Sequence, residues 1–171
     1  MIFVAVGNAK QGFRRLVEAV DEQAGRGCYG DADVVIQTGH GGGQAPRYCR
    51  SEAFFGRAEY RRLLADAAVV VCHGGFGTLA EAIRLGKRPV AVPRRQALGE
   101  IVNDHQRETV AQLAEYGLVI LCDSEADLPA AVDRARAKPA PHALDLPALV
   151  PLVRAAIVEL IGEPGAPMRA E

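Results

Sequence analysis

Short apolar runs alternate with helix-length segments along most of the chain. IFVAV (2–6) precedes FRRLVEAVDEQA (13–24), and DVVIQTG (33–39) precedes a glycine-rich loop. EAFF (52–55) precedes RAEYRRLLADA (57–67), AVVVC (68–72) precedes TLAEAIRLG (78–86), and PVAVP (89–93) precedes EIVNDHQRETVAQLAEYG (100–117). LVIL (118–121) and EADLPAAVDRARA (125–137) close the series. Strands apolar on both faces and separated by helices predict an α/β domain, with a parallel sheet covered by helices on both sides. The expected unit is a single Rossmann-like domain over residues 1–138. A proline-punctuated connector, PAPHALDLP, occupies 139–147, and a last apolar helix begins ALVPLVRAAIVELIG in the segment 148–171.

Composition narrows the function classes. The chain has 171 residues, 49% of them hydrophobic, and a formal net charge of −1. That suffices for one buried core, and the charge balance argues against a nucleic-acid partner. Cys28, Cys49, Cys72 and Cys122 show no paired metal-ligand spacing, so reduced structural thiols and no metal site are expected. The N-terminus lacks the basic and small-residue features of a signal peptide, and no run reaches the ~20 apolar residues of a membrane span. A cytoplasmic protein is expected, peripheral at the inner face of a membrane through a partner.

The stretch VVVCHGGFGTLAEAIRLG (69–86) carries the first chemical signal. Gly74, Gly75 and Gly77 allow a tight turn and close approach of a ligand to the backbone. Thr78 and Glu81 have the spacing of a capping box. A helix start after a strand end offers N–H groups and a positive dipole to phosphate; the plain alternative is a turn whose glycines serve geometry only. The same letters fit a dinucleotide fingerprint, Gly75-x-Gly77-x-x-Ala80, with Arg94 and Arg95 placed for a 2′-phosphate. An NADP-binding protein, or a non-catalytic nucleotide-binding module, is therefore the alternative. Against the fingerprint, other strands precede it.

The second signal is VPRRQALGEIVNDHQRETV (92–110), where Glu100, Asn103, Asp104, His105 and Gln106 crowd one expected helix start. Capping uses one or two such groups, so the surplus suits a polyhydroxylated ligand. A solvated helix face is the alternative.

HGGFGTLAEAIRLGKRPVAVPR, followed by GEIVNDHQ and LAEYGL, resembles the C-terminal, donor-binding domain of glycosyltransferase family 28. The resemblance runs from IFVAVG to about ILCDS and is nearest to small separate catalytic subunits of two-component transferases, eukaryotic and bacterial. It implies the C-terminal half of a GT-B enzyme that takes a nucleotide-sugar donor, commonly a UDP-sugar, without a cofactor. By position, Gly74, Gly75, Gly77 and Thr78 would hold the diphosphate, with Gly7 in the first loop, and Glu81 the ribose hydroxyls. His105 and Gln106 would contact the donor sugar, with Asn103 and Glu100 shaping that wall and Phe55 lying against the uracil. The first loop departs from the pattern at Asn8, where relatives carry threonine or serine.

His73 is expected to line the cleft, because it and Cys72 point to opposite faces of a strand and cannot form a catalytic dyad. Arg94 stands either beside the diphosphate or, with Arg95, Lys87 and Arg88, on a solvated basic edge. The run Gly39–Gly43 is either a flap over the cleft or a plain loop. No catalytic base is found in this chain. The resemblance thus points to half an enzyme: an inverting hexosyltransferase active with a membrane-anchored, acceptor-binding subunit that carries a lipid-diphosphate-linked saccharide, as in exopolysaccharide synthesis. The last helix, apolar on more than one stripe, is expected to dock on that subunit or to fold back on its own domain.

Overall fold

The valine-rich runs sort their side chains by the two-residue period of a strand, and this places helices on both sides of the sheet. In the computed structural model, which describes residues 1–40 and 44–137, six parallel strands form one sheet. They are β1 (Ile2–Ala5), β2 (Val34–Gln37), β3 (Arg50–Glu52), β4 (Val69–His73), β5 (Val90–Val92) and β6 (Ile120–Leu121). Their order is β3-β2-β1-β4-β5-β6. Five helices accompany them: α1 (Arg14–Gly25), α2 (Arg57–Asp66), α3 (Phe76–Arg84), α4 (His105–Glu115) and α5 (Leu128–Ala137). The connector at 139–147, the last helix at 148–171 and residues 41–43 of the glycine run lie outside the described residues.

Ile2, Val4, Val34, Ile36, Val69, Val71, Val90 and Val92 face one core, closed by Leu16, Val17 and Val20 of α1 and Leu128, Ala131 and Val132 of α5. Phe3, Ala5, Val35, Val70, Cys72 and Ala91 face the other, closed by Leu63 and Leu64 of α2, Leu79, Ala82 and Ile83 of α3 and Val110 of α4. The expected fold, a Rossmann-like domain with helices on both faces, is the observed one.

Three element starts differ from expectation. The third strand is Arg50–Glu52, paired with Val35–Gln37, and Ala53–Phe55 form the turn after it. As the sheet's edge strand it needs no apolar run. Helix α3 begins at Phe76 with Gly75 at its N-cap and no side-chain cap bond. Thr78 is therefore inside the first turn, and the capping box with Glu81 does not form. Helix α4 begins at His105, so Glu100 and Asn103 lie in a loop containing a 3₁₀ turn, Gln96–Leu98, and a left-handed Gly99 at φ 68°.

Strand order reverses between β1 and β4: β2 and β3 extend the sheet on one side, β4 to β6 on the other. Loops leaving the carboxyl ends of β1 and β4 consequently diverge and leave a crevice, the usual ligand position in such sheets.

Candidate functional site

That crevice opens into a cleft of about 530 Å³ lined by Gly7, Asn8, Gln37, Phe54, Phe55, Arg57, Tyr60, His73, Gly75, Gly77, Thr78 and Glu81. Four strand ends contribute to it. β1 supplies the turn at Gly7 (φ 79°), β2 supplies Gln37, the turn after β3 supplies Phe54 and Phe55, and β4 supplies His73 and the glycine turn.

His73 is wedged between the two glycine turns. A Cβ on Gly7 would meet its ring at 2.4 Å, and one on Gly75 would meet Nε2 at 2.1 Å. These glycines are needed because the imidazole occupies the space a side chain would take. Burial pushes the His73 pKa down to about 4, against a raising contribution from the Ala5 carbonyl, so the ring is neutral at pH 7. Nδ1 lies 3.4 Å from that carbonyl oxygen, a contact that requires the proton on Nδ1 and leaves Nε2 as an acceptor. Cys72, on the opposite face, is fully buried and its thiol is pushed up to about 12 by desolvation, which removes it as a thiolate at neutral pH.

The far wall is aromatic. Tyr60 packs edge-on against Phe3 at 5.4 Å between ring centroids, and Phe55 stands 6.2 Å from the same ring. Tyr60 and Thr78 approach to 3.4 Å through their hydroxyls, linking α2 to α3. Glu81 keeps its carboxylate toward the opening, 3.5 Å from Arg61 and 32% exposed.

Several expected residues have other work. Gly74 is buried away from the cleft: a Cβ there would strike Val110 Cγ2 at 2.9 Å and Gln106 Cβ at 3.1 Å, so its missing side chain lets α4 approach β4. Arg94 is neither on a solvated edge nor in the cleft. At 1% exposure it donates to the carbonyls of Gln11, Gly12 and Glu100 through Nη1 and of Val6 through Nη2, with its guanidinium 4.7 Å from the Phe13 ring centroid. Buried, with both terminal nitrogens already on main-chain carbonyls, Arg94 presents no fork to a 2′-phosphate in the cleft. Arg95 donates to the Asp123 carbonyl. Of the two arginines the dinucleotide alternative relied on, Arg94 is buried and Arg95, though exposed, is not among the residues lining the cleft.

Glu100, expected to shape the sugar wall, has its carboxylate engaged within the chain. Its carboxylate is buried and takes a two-pronged pair from Arg15, both bonds 2.9 Å, plus the Arg95 N–H at 2.9 Å. Burial alone would raise its pKa, and these bonds outweigh burial and hold it below the usual carboxylate range. Arg15 also pairs with Glu125. Asp104 accepts the Gln96 N–H at 2.9 Å and so closes the loop. Much of the polar density that suggested a sugar site is thus structural. Asn103 and His105 remain exposed at the start of α4, His105 beside Glu108 at 3.5 Å, while Gln106 accepts the Arg94 N–H at 3.4 Å.

Gln37, Arg57 and Tyr60 line the cleft without having been singled out from the sequence. Gln37 had a readable signal, a polar residue ending an otherwise apolar strand. Arg57 and Tyr60 had none, since they sit on an ordinary amphipathic helix. Among the described residues no group of three or more His, Cys, Asp or Glu could hold a metal ion, and no helix is long and apolar enough to cross a membrane.

The model of the glycosyltransferase family 28 C-terminal domain matches residues 1–145. A UDP-N-acetylglucosamine–N-acetylmuramyl-(pentapeptide) pyrophosphoryl-undecaprenol N-acetylglucosamine transferase of Chlorobium phaeobacteroides is 41% identical over 61 residues, 36% of this chain and 16% of that one. Among solved structures, a glycotransferase of kitacinnamycin superposes with a TM-score of 0.61 at 23% identity, covering 94% of this chain and 42% of the other. The calicheamicin glycosyltransferase CalG4 gives 0.57 at 19%, covering 94% and 39%. MurG of Acinetobacter baumannii gives 0.52 at 18%, covering 89% and 49%. These identities speak to fold alone, and this chain spans less than half the length of each of those proteins.

Proposed function

The chain belongs to the glycosyltransferase family 28 C-terminal domain family, and from that premise we propose that it is the donor-binding part of an inverting sugar transferase that uses a UDP-sugar. The observation that carries this reading is the cleft at the β1/β4 crevice, where Gly7, Phe55, His73, Gly75, Gly77, Thr78 and Glu81 converge from separate segments.

In this reading the diphosphate lies against the Gly7 and Gly75–Gly77 turns at the N-terminus of α3, where unpaired N–H groups and the helix dipole favour negative charge. Glu81 accepts hydrogen bonds from the ribose hydroxyls, and the base lies on the Phe55 wall. The donor sugar extends toward the start of α4, where Asn103, His105 and Gln106 stand. An acceptor hydroxyl oxygen bonds to the anomeric carbon while the bond from that carbon to the diphosphate oxygen breaks. The hydroxyl proton passes to a base outside the described residues, and UDP leaves. Charge growing on the departing diphosphate is met by the N–H groups of the glycine turn, so the reading requires no metal.

The acceptor half is supplied from elsewhere, by a membrane-associated subunit that presents a lipid-diphosphate-linked saccharide. One finding supports the acceptor class: part of the chain matches a transferase whose name specifies a pyrophosphoryl-undecaprenol acceptor. Calorimetric titration with UDP and with NADP⁺ tests the donor site. Binding of UDP with no binding of NADP⁺ is expected, and Glu81→Ala is expected to weaken UDP by about tenfold or more with little change in stability, since Glu81 caps no helix. Preference for NADP⁺ would overturn the reading.

A further inference from the structure

Gln37 ends β2 with 5% of its surface exposed, at the floor of the cleft and in register with Ala5 of β1 and Glu52 of β3. The strand period places its side chain on the face of Val35, toward α2 and α3. Its Oε1 accepts the Phe55 N–H at 3.1 Å. A backbone N–H can only donate, so this bond fixes the amide orientation: the oxygen faces Phe55 and the NH₂ group faces away. Nε2 makes no hydrogen bond to any described residue, while the residue lines the cleft. Holding Phe55 needs only an oxygen. The amide therefore presents donors that a sealed core would penalise and that a ligand acceptor would satisfy.

Resting on the nucleotide-sugar reading of this cleft, we propose that Gln37 selects the base of the donor: its locked Nε2–H₂ donates to a carbonyl at the 4-position of a pyrimidine lying against Phe55. With the diphosphate at the Gly7 and Gly75 turns and the ribose at Glu81, the base edge opposite the glycosidic nitrogen reaches furthest toward β2. That edge carries C4. A 4-carbonyl, as in uracil or thymine, accepts the bond. The 4-amino group of cytosine would set N–H against N–H, and the amide cannot turn over to rescue it without giving up the Phe55 N–H.

The test is titration of the wild-type chain and of Gln37→Glu with UDP and with CDP, with circular dichroism to confirm folding of the variant. The glutamate keeps an oxygen for Phe55 but puts an acceptor where the NH₂ group stood. Wild type is expected to favour UDP over CDP by about tenfold or more, and the variant to narrow or reverse that ratio. Both ligands carry the same diphosphate, so the added negative charge cancels in the ratio. Equal affinity of the wild type for UDP and CDP overturns the proposal whether or not the variant folds, and leaves the nucleotide site intact. A ratio unchanged in the folded variant overturns it too. Wild type binding neither nucleotide would instead strike at the parent reading and take this inference with it.

Discussion

His73 shows how burial sets the chemistry of a single residue. Its ring titrates near 6.5 when unfolded and near 4 in the native cleft, with desolvation as the main cause. Between those values the unfolded chain binds a proton that the native state does not. Stability therefore rises with pH across this window: the contribution of neutral His73 is complete above about 6.5, declines as pH falls, and is exhausted near 4. The swing is about 3 kcal/mol. Urea unfolding at pH 7 and pH 4 should show a larger loss for wild type than for His73→Gln, the difference between the two isolating this residue from the carboxylates that titrate alongside it. A protein whose His73→Gln variant loses as much as wild type would have an exposed ring at this position.

At the scale of elements, the start of α3 is set by packing between two turns and not by a side-chain cap. Gly75 is the N-cap, and the His73 ring fills the space next to it. Gly75→Ala should destabilise by about 1–3 kcal/mol, the usual cost of forcing an added carbon into a filled space. The His73→Ala background removes the obstructing ring, so in that background the same substitution should cost close to nothing. A double-mutant cycle of urea midpoints reads this coupling directly. Additive losses would mean that the glycine serves backbone conformation alone.

At the scale of the molecule, Arg94 ties the cleft's carboxyl edge together. Its guanidinium joins the end of β1 at Val6, the approach to α1 at Gln11 and Gly12, and the loop before α4 at Glu100. Arg15 lies on the Phe13 ring with it, 5.1 Å from the centroid, and Glu100 links the two arginines, its carboxylate paired with Arg15 and its main-chain carbonyl accepting from Arg94. A lysine offers one ammonium where this arrangement uses a planar fork, so Arg94→Lys should cost about 2 kcal/mol or more and should also weaken UDP through the displaced Gly7 turn. Denaturant midpoints and titration of the same preparation check both effects. Unchanged stability with lost UDP binding would place Arg94 in the ligand site instead.

The alternation of apolar runs and helix-length segments determined the parallel sheet, the two helical layers and the glycine turn after AVVVC, because strand and helix periods are written locally in which positions are apolar. His73, Gly75, Gly77, Thr78 and Glu81 were readable as cleft-lining positions because their pattern follows one strand end, and Phe55 only through the family resemblance. Which of the remaining polar residues reach the cleft was decided by tertiary structure. Glu100 and Arg94 look like ligand groups in the sequence, yet each is consumed by partners about 80 residues away, Arg15 and the turn before α1. Gln37 is marked in the sequence only as a polar end to an apolar strand, and strand order is what puts it beside β1 with its amide on the Phe55 N–H. A side chain's chemistry is local; its unpaired atoms are settled only when the rest of the chain has packed around it.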